Sequence, residues 1–288
     1  MKNYLSLVKF AHTIFALPFA LLGLFLGFFA SGDFRMDWLL LLKVLACMVF
    51  ARSAAMAFNR YVDRHIDGTN PRTARREIPR GVIHPRQALL FVIINSLLFV
   101  ITTFWINRLC FYLSPVALLI ILGYSYTKRF TFLCHLVLGL GLSLAPIGAY
   151  LAVTGQFALL PVLYSISVLC WVSGFDIIYA LQDENFDKEK ALFSIPSRFG
   201  ARKSLLISNV LHILCALLII VAAIISKRQI DNLYFLHWAG AVIFIALLAY
   251  QHTLVAPGKL EKVNLAFFTT NGIASILFSL FFISDLFI

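Results

Sequence analysis

Apolar and polar positions along the chain divide it into nine long apolar stretches, roughly 10–31, 38–58, 86–106, 109–125, 130–152, 158–182, 203–226, 233–254 and 264–287. Each approaches the about 20 residues that a helix needs to cross the hydrocarbon core of a bilayer. Membrane-spanning strands would instead run about 10 residues with alternating faces, so a β-barrel is excluded. The pattern predicts an all-α polytopic membrane protein with nine transmembrane helices in one bundle, a single domain over residues 1–288. The first stretch follows Lys2 and Lys9 and holds about 22 apolar residues. That is too long for a signal-peptide core, so it is read as the first span.

Composition sharpens this reading. Hydrophobic residues make up 61% of the chain and charged residues only 13%, with a mean hydropathy of +0.91. Such values lie outside the range of soluble domains. The five cysteines (Cys47, Cys110, Cys134, Cys170 and Cys215) all fall in apolar stretches, with no CxxC and no His at metal-ligand spacing. They indicate neither a disulfide framework nor a zinc site. The net charge of +11 would fit a nucleic-acid partner, but its distribution argues against one. Loops alternate sides across nine spans, and 18 Lys/Arg fall on one side against 4 on the other. This is a topology signal: it places the N-terminus and the long polar loops in the cytoplasm and the C-terminus outside, and the chain is expected in the inner (cytoplasmic) membrane.

The acids are concentrated. Asp63 and Asp67 close the second span, and Asp183, Glu184 and Asp187 close the sixth, both on the cytoplasmic side. Asn59, Asp63 and Asp67 are spaced i, i+4, i+8 and so share one helix face, as do Asp183 and Asp187. Asp176 sits two turns before Asp183 on nearly the same face, about 10 Å deeper by helical rise. An ionisable residue at that depth costs about 3 kcal/mol and is a functional-site candidate by default. Like charges at i, i+4 repel. Two readings follow: solvated helix ends whose acids pair with neighbouring Arg, or hard oxygen ligands for Mg²⁺ held together with substrate phosphates. Arg52 lies on the acid-bearing face of the second span, where it either binds an anion or neutralises Asp176. Arg72, Arg75, Arg76 and Arg80 follow the first acids, Lys128 and Arg129 end the fourth span, and Tyr124 shares a face with Lys128. Metal-binding acids ringed by Arg and Lys suit a polyanion such as diphosphate.

At these residues the chain resembles the UbiA superfamily of intramembrane prenyltransferases, whose members have nine transmembrane helices. The NxxxDxxxD motif of that family matches Asn59–Asp67 and continues into RTARREIPRG (72–81); YxxxK matches Tyr124–Lys128; DxxxD matches Asp183–Asp187, with Asp176 and Tyr179 upstream. One departure is Arg60, where many members have Asp. The stretches KFAHTIFALPFALLG (9–23) and FDIIYALQDENFDKEKALFSIPSRFG (175–200) are similar to the 4-hydroxybenzoate polyprenyltransferase-like branch, which also includes enzymes acting on dihydroxynaphthoate-type acids.

The resemblance implies Mg²⁺ held by Asn59, Asp63, Asp67, Asp183 and Asp187 on the diphosphate of a polyprenyl donor. Lys128, Arg72 and Arg76 would meet the departing diphosphate, and Tyr124, Asp176, Tyr179 and Arg52 would contact substrate. A hydroxyaryl carboxylic acid would then be prenylated on its ring, in quinone biosynthesis. Asp176 or Asp183 would assist at the acceptor hydroxyl, and His12 would line the acceptor site or simply pack. A secondary transporter also carries intramembrane acids, and IPRG (78–81) echoes IPSRFG (195–200), but these acids cluster at one face rather than at the midplane. A CDP-alcohol phosphotransferase needs DG-x₂-AR, and here Asp67-Gly68 runs into Thr69-Asn70-Pro71-Arg72.

Overall fold

Helices form where the apolar runs lie, and polar side chains cap some of their starts. A computed structural model describes residues 2–7, 15–32, 35–230 and 233–288; Lys9 and His12 lie outside the described residues. The helices are α1 (Lys2–Leu7), α2 (Leu17–Ala30), α3 (Trp38–Val62), α4 (Arg64–Thr69), α5 (Pro85–Phe104), α6 (Arg108–Thr127), α7 (Cys134–Thr154), α8 (Leu159–Ala180), α9 (Glu184–Glu189), α10 (Ile195–Gln229), α11 (Leu236–Thr253) and α12 (Asn271–Asp285). Asp37 caps α3 by accepting from Leu40 N at 2.9 Å, and Ser194 and Ser197 form a reciprocal capping box at the start of α10. Such caps satisfy amide groups that a helix start leaves unpaired. There are no named β-strands among the described residues.

Every one of the nine expected stretches coincides with a helix, and the polytopic helical architecture stands. The count of nine spans does not follow from helix length and composition. Among the described residues seven helical segments are long and apolar enough to cross a membrane. Of the other two, α2 has 14 residues, short of a full crossing. Helix α11 ends on the polar run Gln251-His252-Thr253, which dilutes its 18 residues.

The described residues cluster into two compact units. The first contains α1 and α3 to α6, with α3 packed on α5 and α6. Its small core joins Leu7, Ala54, Ala57, Ile78, Ile83, Ala88 and Val92.

The second unit contains α2 and α7 to α12, with α8 at its centre between α7 and α10. Helix α7 approaches α8 closely because Gly139 has no side chain; a Cβ there would lie 2.3 Å from Ser173 Oγ and 2.6 Å from Leu169 O. Small residues at such crossings are how helices pack in a bilayer, where apolar side chains gain little by leaving lipid. The core is aromatic, built on Phe19, Tyr164, Trp171, Phe244 and Phe278. A polar chain crosses it. Trp171 Nε1 donates to Asn271 Oδ1 at 2.7 Å, Asn271 Nδ2 donates to Gln251 Oε1 at 3.2 Å, and Gln251 Nε2 lies 3.1 Å from His212 Nδ1. Buried polar groups in a membrane must find partners inside the protein, and this chain links α8, α10, α11 and α12. Before α12, a π-helical turn (Leu265–Thr270) loosens the backbone ladder, and Asn271 Nδ2 donates to Ala266 O and Phe267 O.

Candidate active site

In the first unit the acids sit at a break in the helix. Helix α3 stops at Val62, Asp63 leaves the helical conformation (φ −87°, ψ 3°), and α4 resumes at Arg64. The i, i+4 pattern survives the break: Asp63 N–H donates to Asn59 O at 2.9 Å and Asp67 N–H to Asp63 O at 2.7 Å. Asn59 Nδ2 donates to Asp63 Oδ2 at 3.2 Å. Asp63 and Asp67 are both buried, at 2% and 3% exposure. Two buried carboxylates require positive charge or several donors, and the loop that follows folds back to supply one. Arg76 Nη1 donates to both carboxylate oxygens of Asp67 at 2.8 Å, and Thr73 Oγ1 donates to the Asp67 carbonyl at 3.1 Å. Arg72 is exposed, its backbone N–H donating to Asn70 Oδ1 at 2.9 Å. Tyr124 is half-buried on α6. Arg52 is half-buried within α3, and its Nε is buried with no hydrogen-bond partner among the described residues.

Arg60 is buried in the same unit and reaches Glu77 Oε2 at 3.1 Å. Glu77 Oε1 accepts from Ser6 Oγ of α1 at 2.5 Å. Burial works to raise the Glu77 carboxyl. The hydrogen bonds from Ser6 and its own backbone N–H, followed by the charges of Arg60 and Arg76, outweigh burial and hold it below the usual carboxylate range.

In the second unit, α8 ends at Ala180, a 3₁₀ turn covers Leu181–Asp183, and α9 begins at Glu184. Asp176 and Asp183 were expected on one helical face; the break puts them on different elements. Asp176 pairs with His135 at the start of α7, Nδ1 to Oδ2 at 2.7 Å. Asp187 Oδ2 accepts from Ser194 Oγ at 2.8 Å. Phe193 N–H donates to the Lys128 carbonyl at 2.7 Å, holding Lys128 to the segment before α10. Lys128 and Asp183 are half-buried. Tyr179 stacks on Phe267 at 4.1 Å between centroids and meets Phe268 edge-on at 5.9 Å.

Among the described residues no three His, Cys, Asp or Glu side chains converge as a metal cluster. In the first unit the side-chain acceptors of Asn59, Asp63 and Asp67 are all oxygens, the ligand type that Mg²⁺ prefers. In the first unit a guanidinium already bridges the two Asp67 oxygens, so this carboxylate takes a cation in the folded chain. His135, Ser194, Glu77 and Phe267 escaped the sequence reading. His135 left a signal, a polar residue opening an apolar span, but its partner lies 41 positions away and only the fold joins them.

The family model for UbiA prenyltransferases matches residues 16–276. The chain belongs to the UbiA prenyltransferase family. A relative named 4-hydroxybenzoate octaprenyltransferase in Aliivibrio fischeri is 30% identical over 253 residues, covering 87% of this chain and 85% of the relative. Among solved structures, an apo UbiA homolog from Aeropyrum pernix is 29% identical with a TM-score of 0.82, covering 95% of this chain and 98% of that one. A UbiA homolog from Archaeoglobus fulgidus bound to DMAPP and Mg²⁺ shares the fold at a TM-score of 0.76 and 21% identity, with 99% of each chain covered. The expected family resemblance is thereby borne out, and the chain is an integral membrane protein of this family. Arg60, the departure from the UbiA pattern, is accounted for locally by its ion pair with Glu77.

Proposed function

We propose that this UbiA-family protein transfers a polyprenyl group from polyprenyl diphosphate to the ring of 4-hydroxybenzoate, releasing diphosphate, in ubiquinone biosynthesis. The observation that carries the reading is the 30% identity, over most of both chains, to relatives named 4-hydroxybenzoate octaprenyltransferase. The three polar motifs, in family order, support it.

Asn59, Asp63, Asp67, Asp183 and Asp187 would hold Mg²⁺. When bound, the metal supplies charge neutralisation for the departing diphosphate. Arg72, Arg76 and Lys128 donate charge-assisted hydrogen bonds to the diphosphate oxygens as the allylic C–O bond breaks. Tyr179, backed by Phe267, offers a π-face to the positive charge left on the allyl group. Arg52, with its unpaired buried Nε, takes an anionic group such as the acceptor carboxylate, and Tyr124 shares the substrate-facing role. The acceptor ring then forms the new C–C bond and loses its ring proton. The prenyl tail remains in the bilayer, which is why the reaction is housed there.

The asymmetry of 18 Lys/Arg against 4 supports a cytoplasmic N-terminus and cytoplasmic polar loops, and the apolar helices together with the bacterial relatives support placement in the inner membrane. Membranes containing the protein, given labelled polyprenyl diphosphate, Mg²⁺ and a panel of hydroxyaryl acids, are expected to label 4-hydroxybenzoate. Labelling of a dihydroxynaphthoate-type acid alone would reassign the acceptor, and no labelling of any acceptor would overturn the reading.

A further inference from the structure

Asp176 lies on α8 one turn before Tyr179 and keeps 20% of its side chain exposed. One of its oxygens is fixed. Oδ2 lies 2.7 Å from His135 Nδ1, while His135 itself is buried. The other nitrogen of that ring reveals the tautomer. Ile195 N–H, in the first turn of α10, points at His135 Nε2 at 3.4 Å. A backbone N–H can only donate, so Nε2 carries the lone pair, the ring proton sits on Nδ1, and Nδ1–H donates to Asp176. Asp176 Oδ2 is therefore the acceptor in this pair. The ring is also held from its backbone side, where Ser173 Oγ donates to the His135 carbonyl at 3.2 Å.

The residue before Ile195 does the same for the second acid, since Ser194 Oγ donates to Asp187 Oδ2 at 2.8 Å. The first turn of α10 thus orients Asp187 directly and Asp176 through the imidazole. An imidazole oriented by one partner and orienting another is a common supporting arrangement for groups that must hold one geometry. His135 takes no part in the chemistry proposed above, and packing alone does not require a histidine opening an apolar helix.

We infer that His135 is a positioning residue for acceptor recognition: it ties Asp176 Oδ2 so that the remaining carboxylate oxygen accepts a hydrogen bond from the phenolic hydroxyl of the aromatic acceptor. This inference rests on the proposed hydroxyaryl acceptor. It requires no proton transfer, only that the hydroxyl be recognised and the ring held in one orientation.

The test compares binding of 4-hydroxybenzoate with binding of benzoate, which lacks the hydroxyl, to the full-length protein in nanodiscs. The wild type is expected to prefer 4-hydroxybenzoate by about tenfold or more, the scale of a hydrogen bond to a charged group. In His135→Ala the preference falls to within about threefold of unity, while the KM for polyprenyl diphosphate stays unchanged. His135→Asn keeps an N–H donor near the Nδ1 position and restores most of the preference, which also covers the case in which the alanine variant fails to fold. An undiminished preference in a folded His135→Ala, or an Asn variant no better than Ala, would overturn the inference. A wild type that prenylates no hydroxyaryl acid would instead overturn the proposed function, so the two failures are distinct.

Discussion

At the residue scale the acids divide by what holds them. Asp67 is held by Arg76 within nine residues of sequence, Asp187 by Ser194, and Asp176 by His135. The sequence made the acids legible because they break apolar periodicity at helix ends. It could not show their partners, whose identity depends on how loops return. Asp63→Ala and Asp187→Ala are expected to lower kcat by roughly a hundredfold or more, the usual scale for losing a charge-organising group, with insertion unaffected; full turnover by either in membranes with Mg²⁺ would contradict their assignment. Glu77 gives a pH prediction. A carboxyl that titrates lower in the folded protein than in the unfolded chain stabilises fully above its unfolded value, and that contribution is lost as pH falls through the folded one. Thermal stability should therefore drop on acidification below about pH 4, and Glu77→Gln should flatten that limb. Glu77→Ala leaves Arg60 buried and unpaired and is expected to cost about 3 kcal/mol, measurable by denaturant or thermal unfolding in detergent.

At the scale of elements, helix positions were legible and helix interruptions were not. Hydropathy located every long helix, but it read Asn59–Asp67 and Asp176–Asp187 as continuous faces. The structure breaks the first at Asp63 and the second after Ala180. Each break shortens the apolar rod where the acids begin and lets a polar loop turn back on them. The weak echo between IPRG and IPSRFG has a conformational basis, since Gly81 and Gly200 both adopt positive φ, 73° and 76°. Gly200 also kinks α10 just beyond the turn that holds Asp187 and His135. Gly200→Ala is expected to cost roughly 1–3 kcal/mol, because φ 76° with ψ 167° is a conformation open essentially to glycine alone, and to lower activity more than stability loss alone explains. Gly139→Val, by contrast, separates α7 from α8 and should lower the melting temperature outright; an unchanged melting temperature would show that this crossing does not need glycine.

At the scale of the molecule, composition decided the class before any motif was considered: a chain with 61% hydrophobic residues has bilayer as its solvent. Exposed apolar residues such as Leu119 (73%) and Val242 (64%) face outward as that solvent demands. The charge asymmetry supports the proposed orientation, and reporter fusions in loops 70–81 and 188–193 are expected to report a cytoplasmic location. The sequence reading of nine spans is matched in helix position but not in count by length and composition, because α2 is short and α11 polar-ended by the measure of a full crossing. The central claim, prenyl transfer to a hydroxyaryl acid, is tested most directly by the mass and connectivity of the product. The purified protein in nanodiscs, given polyprenyl diphosphate, Mg²⁺ and 4-hydroxybenzoate, is expected to yield a ring-prenylated acid that has lost one aromatic hydrogen and kept its phenolic hydroxyl. Recovery of unmodified 4-hydroxybenzoate, or of a product prenylated on oxygen, would contradict the account.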